Sequence, residues 1–141
     1  FYFISKITPL VNVDLLVKDS LARTLLAWRK DPIAGNGWHL PGGIVRFKET
    51  FGDRIQKVSE LEIGVKDINF NPNPLAINQI IRKIGKTRGH FISILYQCTL
   101  SDNFKIDNRE LTEEEPGYLM WHNSCPDNLL SLQREIYSEY V

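Results

Sequence analysis

Glu62 is a carboxylate placed where an apolar residue belongs. If the chain is helical from Phe51 toward Gly64, Ile55, Val58 and Glu62 all fall within about forty degrees of Phe51 around the axis. An ionised carboxylate in that position is costly unless a metal ion or a buried base answers it. The same placement is met if Glu62, in the last turn, bends out to solvent or meets a structural Lys or Arg. Upstream, Pro41-Gly42-Gly43 offers either an ordinary turn or a backbone able to come close to a ligand and act through its own amide and carbonyl groups. Arg29 ends an apolar stretch beside the loop DPIAGNG, where its planar fork can meet a phosphate or simply stay solvated. Asp14 lies on the more polar side of a strand, as a solvated residue or a ligand contact. Glu113, Glu114 and Glu115 precede Pro116-Gly117 and have the pattern of a solvated acidic loop.

Several elements must position these groups. LVNVDLLV, residues 10–17, alternates Val11, Val13, Leu15 and Val17 against Leu10, Asn12, Asp14 and Leu16, which is a strand pattern. The turn Lys18-Asp19-Ser20 leads into LARTLLAWR, a second strand that predicts a hairpin or meander with the first. Trp38 to Leu40 reads as a short buried strand entering the Gly-Gly turn. Thr50 and Asp53 form a capping box for the helix and Gly64 stops it. Leu75 to Ile81 is strand-like, Arg82 to Arg88 is a charged hairpin tip, and HFISILYQCTL, β-branched and almost uncharged, belongs in the middle of a sheet. Residues 101–117 form a polar connection, Tyr118 to Trp121 a last short strand. From Pro126 to Val141, Leu129, Leu132, Ile136 and Tyr140 recur at helical spacing.

The chain has 141 residues, 43% of them apolar and 24% charged, which predicts one globular domain. Its 17 basic and 17 acidic residues cancel, so no global field favours nucleic acid or a membrane and any anion must be gripped locally. No apolar run approaches the roughly 20 residues that span a bilayer, and the start lacks a signal-peptide pattern, which predicts a cytoplasmic protein. Cys98 and Cys125 are too few and too far apart for a metal cluster or a disulfide framework and read as buried thiols. The chain opens on Phe1 without an initiating methionine, so residues before Phe1 are expected.

The spacing of Gly43, Glu49, Glu62, Gly64 and Val65 resembles the motif of the Nudix hydrolases, G-x5-E-x7-R-E-U-x-E-E-x-G-U. Lys57 stands in the arginine slot, Val58 and Leu61 replace two of the three helical glutamates, and Ser59 replaces an apolar residue. Beyond the motif, TPLVNVDLLV, LLAWR with the loop to Gly37-Trp38, LPGG, and a helix that keeps only its last glutamate are similar to the GDP-mannose mannosyl hydrolase subfamily, from about Phe1 through Trp121. The resemblance implies an α+β Nudix fold, a mixed β-sheet sandwiched between α-helices in an α/β/α arrangement, with residues 1–141 as a single Nudix domain.

It also implies a reaction, the magnesium-dependent hydrolysis of a GDP-sugar. Water attacks the anomeric carbon of GDP-mannose and releases GDP and mannose, with one Mg2+ per subunit neutralising the departing diphosphate. Carried over residue by residue, the metal ligands are the Gly42 carbonyl, Glu62 and Glu115. Arg29 and Asp14 meet the substrate, Phe91 stands in the slot of a sugar-contacting tyrosine, and Lys57 suits the leaving group. Ile44 replaces an arginine, and the expected catalytic histidine falls on Pro116, so Glu114 or Glu115 must serve as base, with His90 and His122 as substitutes. The implied partners are a small-molecule nucleotide-sugar and a second copy of the chain in a homodimer. Two other readings stay open: a Nudix pyrophosphohydrolase cutting a nucleoside diphosphate derivative between phosphates, and a catalytically degenerate domain that binds nucleotide without turnover.

Overall fold

A computed structural model of the chain describes residues 1, 3–32, 35–82 and 89–141. Its first long strand, β1 (Leu10–Val17), keeps the alternation expected of it. Val13, Leu15 and Val17 enter one apolar cluster, and Leu16 enters another. β2 (Thr24–Asp31) does the same, sending Leu25 and Ala27 one way and Leu26 and Trp28 the other. The first cluster receives Ile55, Val58 and Ile63 from α1 (Phe51–Val58) and the turn after it; the second receives Tyr137 from α2 (Ser131–Tyr137). Strands therefore lie between two helical layers, and full burial of each such side chain is worth about 1.5–3 kcal/mol.

Among the described residues the strands form two sheets. In the larger, β7 (His90–Thr99) is central, parallel to β1 from Leu10↔Phe91 to Val17↔Cys98 and antiparallel to β5 (Asn69–Phe70) and β6 (Ala76–Ile81). The other edge of β1 carries β4 (Gly42–Ile44), antiparallel with Val13↔Gly43 in register. In the smaller sheet β2 lies between β3 (Gly35–His39) and β8 (Leu119–His122). No described helix is long and apolar enough to cross a membrane.

Four expectations change. β1 and β2 share only the bridge Lys18↔Thr24 instead of a hairpin, because the Asp19 carboxylate accepts the N–H groups of Leu21 and Arg23 and holds 19–23 as a turn. Of the loop DPIAGNG, residues 33–34 lie outside the described residues, and 35–37 continue as strand, closing β2 against β3 with Asp31↔Gly35. Gly42 and Gly43 are strand rather than turn. The C-terminal helix is shorter than the spacing of Leu129 to Tyr140 predicts. Trp38 at the edge of β3 donates to the Asn128 carbonyl and accepts from the Leu130 N–H, and those bonds keep 128–130 extended. Of the expected tip from Arg82 to Arg88, residues 83–88 lie outside the described residues.

The local signals around α1 are met. Thr50 Oγ1 accepts from the Asp53 N–H at 3.0 Å while the Asp53 carboxylate accepts from the Thr50 N–H at 3.1 Å, a complete capping box. Thr50→Ala is expected to cost about 1 kcal/mol of stability, read as a lower urea midpoint with unchanged slope. Beyond Val58 the helix widens into a π turn, Ser59–Ile63, closed when the Gly64 N–H donates to the Ser59 carbonyl at 2.8 Å. Gly64 takes φ 83°, the left-handed conformation that ends the helix at little steric cost for glycine.

Candidate active site

Glu62 belongs to that π turn, a form of helix often found at functional sites. Ser59 is fully buried on the inner side of the turn and donates to the Val65 carbonyl at 2.8 Å. Glu62 is half-buried, with its carboxylate turned inward, and Oε2 accepts from the Gly42 N–H at 3.2 Å. The solvated alternative for this residue is thereby set aside. Leu15 donates to the Pro41 carbonyl and Val45 to the Val11 carbonyl, so Val13↔Gly43 is a hydrogen-bonded pair of the ladder. The flanking residue Gly42 therefore points its N–H and carbonyl away from β1.

Asp14, across from Gly42 on β1, is buried rather than solvated. Its Oδ2 accepts from the Tyr137 hydroxyl at 2.5 Å and from Asn12 Nδ2 at 3.0 Å, and Asn12 Oδ1 accepts from Ser93 Oγ at 2.9 Å. Oδ1 faces Gly42: a Cβ there would fall 2.2 Å from it. Only glycine lets the two approach this closely. Burial raises the Asp14 carboxyl to about 6, opposed by its bonds to Tyr137 and Asn12 and by the charge of Arg29. Burial likewise raises Glu62 to about 7, the Gly42 N–H opposing and the charge of Asp14 adding to the rise.

Asp14 and Gly42 border a cavity of about 330 Å³ whose wall also includes Arg29, His39, Arg82 and Phe91. Of the residues expected at the substrate, the fold thus brings together Asp14, Arg29, Gly42 and Phe91, with Ile44 also in the wall, and Glu62 hydrogen-bonded to Gly42. Arg29 forms an ion pair with Asp31 at 3.4 Å.

Other expected residues lie elsewhere. Lys57, two positions past buried Ile55 and so on the opposite side of α1, borders a shallow depression with Glu49, Asp53 and Glu60. Arg82, not Lys57, joins Arg29 at the cavity. The Glu115 carboxylate accepts from the Thr112 N–H at 3.1 Å and from its hydroxyl, which hold it below the usual carboxylate range. Glu114 is exposed, with φ 70°. Neither borders the cavity. His90 meets Gln79 at 2.9 Å, and His122 packs edge-on against Trp38 at 4.5 Å. Val58 is in the core and Leu61 is 77% exposed, so the two helical positions that lack acids do not face the cavity. Glu49 is paired twice with Arg54, with Nε to Oε2 at 2.9 Å, and this partner lowers its carboxyl to about 2. Cys98 is buried, its thiol pushed up to about 12, while Cys125 is only partly buried.

Reasoning from the sequence missed His39, Tyr137, Asn12 and Arg54. The available signals were slight: a histidine directly before LPGG, and a tyrosine beside Ile136 whose hydroxyl needs a partner when its ring is buried.

The donors fit a hard divalent cation. Glu62 and the Gly42 carbonyl both offer oxygens, and a cation beside them would relieve the burial of Glu62 and its repulsion with Asp14. Among the described residues no three His, Cys, Asp or Glu side chains converge as a ligand group. Magnesium commonly takes one or two carboxylates and completes its shell with water and substrate phosphate.

No family model matches the sequence. Low-salt glycan biosynthesis protein Agl8 of Haloferax volcanii is 30% identical over 117 residues, which cover 78% of this chain and 73% of that protein. Among solved structures, a MutT Nudix hydrolase from Burkholderia pseudomallei superposes with a TM-score of 0.71 at 23% identity, covering 95% of this chain and 98% of the other. The Nudix domain of Shewanella oneidensis NrtR, complexed with ADP ribose, superposes with a TM-score of 0.66 at 16% identity, covering 94% and 86%. Both structural likenesses are likenesses of fold.

Proposed function

Because the chain belongs to the family of the Haloferax volcanii glycan biosynthesis protein Agl8 and has the Nudix hydrolase fold, we propose that it is a magnesium-dependent hydrolase of a nucleoside diphosphate sugar. The substrate is GDP-mannose and the products are GDP and mannose. The observation that carries this reading is the single helical carboxylate, Glu62, bonded to Gly42 of the cavity wall, with Val58 in the core and Leu61 in solvent where further acids would stand. Attack on phosphorus between two phosphates draws on several metal ions, whereas a departing diphosphate needs one metal and a few fixed cations. The part that Agl8 plays in glycan biosynthesis, and the ADP ribose held by the NrtR domain, both support a sugar-bearing diphosphate.

Glu62 and the Gly42 carbonyl would hold the ion, which would supply positive charge against the diphosphate. Arg29 and Arg82, both in the cavity wall, bind the phosphates. Asp14, held through Oδ2 by Tyr137 and Asn12, orients the sugar through Oδ1, and Phe91 gives the sugar or the base an apolar wall. As the oxygen of water bonds to the anomeric carbon, the bond from that carbon to the diphosphate oxygen breaks, and its electron pair departs with GDP.

Product analysis tests this reading against the other two. With GDP-mannose and magnesium, GDP plus mannose is expected. GMP plus mannose 1-phosphate would instead establish the pyrophosphohydrolase, and binding without turnover the degenerate domain.

A further inference from the structure

A proton must leave the attacking water, and the side chains expected to take it lie away from the cavity. Glu115 is tied to Thr112, His90 to Gln79, and His122 is packed on Trp38. The cavity wall nevertheless holds a histidine, His39, at the end of β3, on the same face as Arg29 of β2.

We propose that His39 is the catalytic base, its Nε2 accepting a proton from the water that attacks the anomeric carbon; this rests on the nucleotide-sugar reading of the site. His39 Nδ1 lies 2.7 Å from the Leu40 carbonyl. A carbonyl only accepts, so Nδ1 carries the hydrogen and Nε2 the lone pair. Nε2 has no hydrogen-bond partner among the described residues, while the ring, 8% exposed, is fixed by burial. Burial, with the charge of Arg29 adding to it, pushes the imidazole down to about 4, so it stands unprotonated at neutral pH. In inverting glycosidases too, a fixed base activates the water that attacks the anomeric carbon. In the step, one water proton passes to Nε2, the hydroxyl stays on the sugar, and the imidazolium returns the proton to solvent.

His39→Asn keeps an amide donor for the Leu40 carbonyl and removes the lone pair of Nε2. Its kcat for GDP-mannose is expected to fall about 10²- to 10⁴-fold with KM within about threefold of wild type. In the unaltered protein, carbethoxylation of His39, located by peptide mass mapping, is expected to track the loss of turnover and to be blocked by GDP-mannose, which keeps the test open should the variant not fold. A folded His39→Asn with kcat within threefold of wild type, or full turnover after carbethoxylation of His39, overturns the assignment while leaving the nucleotide-sugar reading intact. Wild-type protein that yields no GDP and mannose overturns both.

Discussion

Glu62→Gln is expected to stabilise the metal-free protein at pH 8 and at the same time to remove its magnesium-dependent turnover. Glu62 is raised by burial from 4.5 to about 7. For a group whose folded pKa lies above its unfolded value, the stabilisation is complete below the unfolded value and is lost as pH rises through the folded one. Ionised Glu62 therefore strains the metal-free fold above pH 7, and an amide that cannot ionise does not. The advantage of the variant should grow by about 2–3 kcal/mol between pH 5 and pH 8, measured by urea unfolding with a chelator present. Comparing variant with wild type at each pH cancels the titration of His39, whose lowered pKa gives an opposite slope. Turnover with magnesium should drop by about 10²- to 10³-fold or more, the scale for losing one charge-stabilising group at a reacting centre. A variant that keeps the wild-type rate, or whose stability parallels the wild type at both pH values, removes Glu62 from the metal site.

Tyr137→Phe is expected to cost about 1.5–3 kcal/mol at pH 8, the range for a hydrogen bond to a charged group, and about half as much or less at pH 5. The ring stays buried in the variant, so packing is nearly unchanged, and of the hydroxyl's bonds to Asp14 and Ser93 it is the one to Asp14 that makes the loss depend on pH. That bond favours the ionised carboxyl, so removing it raises Asp14 further above its ordinary value, and the loss enters as pH climbs through about 6. The hydroxyl also fixes which oxygen of Asp14 faces Gly42, so kcat/KM for GDP-mannose should fall with stability. Adding Asp14→Asn in a double-mutant cycle isolates the pair. Equal stability of Tyr137→Phe and wild type at pH 8 would falsify this account of Asp14.

Much of the architecture is local in origin and was legible. The period-two alternation of residues 10–17 specifies two apolar clusters because successive side chains leave opposite faces of a strand. The uncharged, β-branched run 90–99 specifies a central strand because only a strand covered on both faces tolerates it. Thr50, Asp53 and Gly64 bound the helix through bonds reaching three to five residues.

The site is assembled over longer distances, and there the residues by themselves stop short. Glu62 is marked in the sequence as a displaced acid, but whether it turned inward depended on the Gly42 N–H, 20 residues away. Tyr137 and Asp14 are 123 residues apart and meet only because α2 and β1 face each other across the second apolar cluster. His39 gives no sign of its role beyond its place before LPGG; the pairing of β2 with β3 puts it beside Arg29, and the Leu40 carbonyl selects its tautomer. The sequence by itself determined the strands 10–17 and 90–99, the caps of the helix from Phe51, and the displaced acid at position 62, since those follow from periodicity and short-range bonds. Only the tertiary structure decided which polar groups share the cavity, because burial and the partners that answer it are properties of packed surfaces.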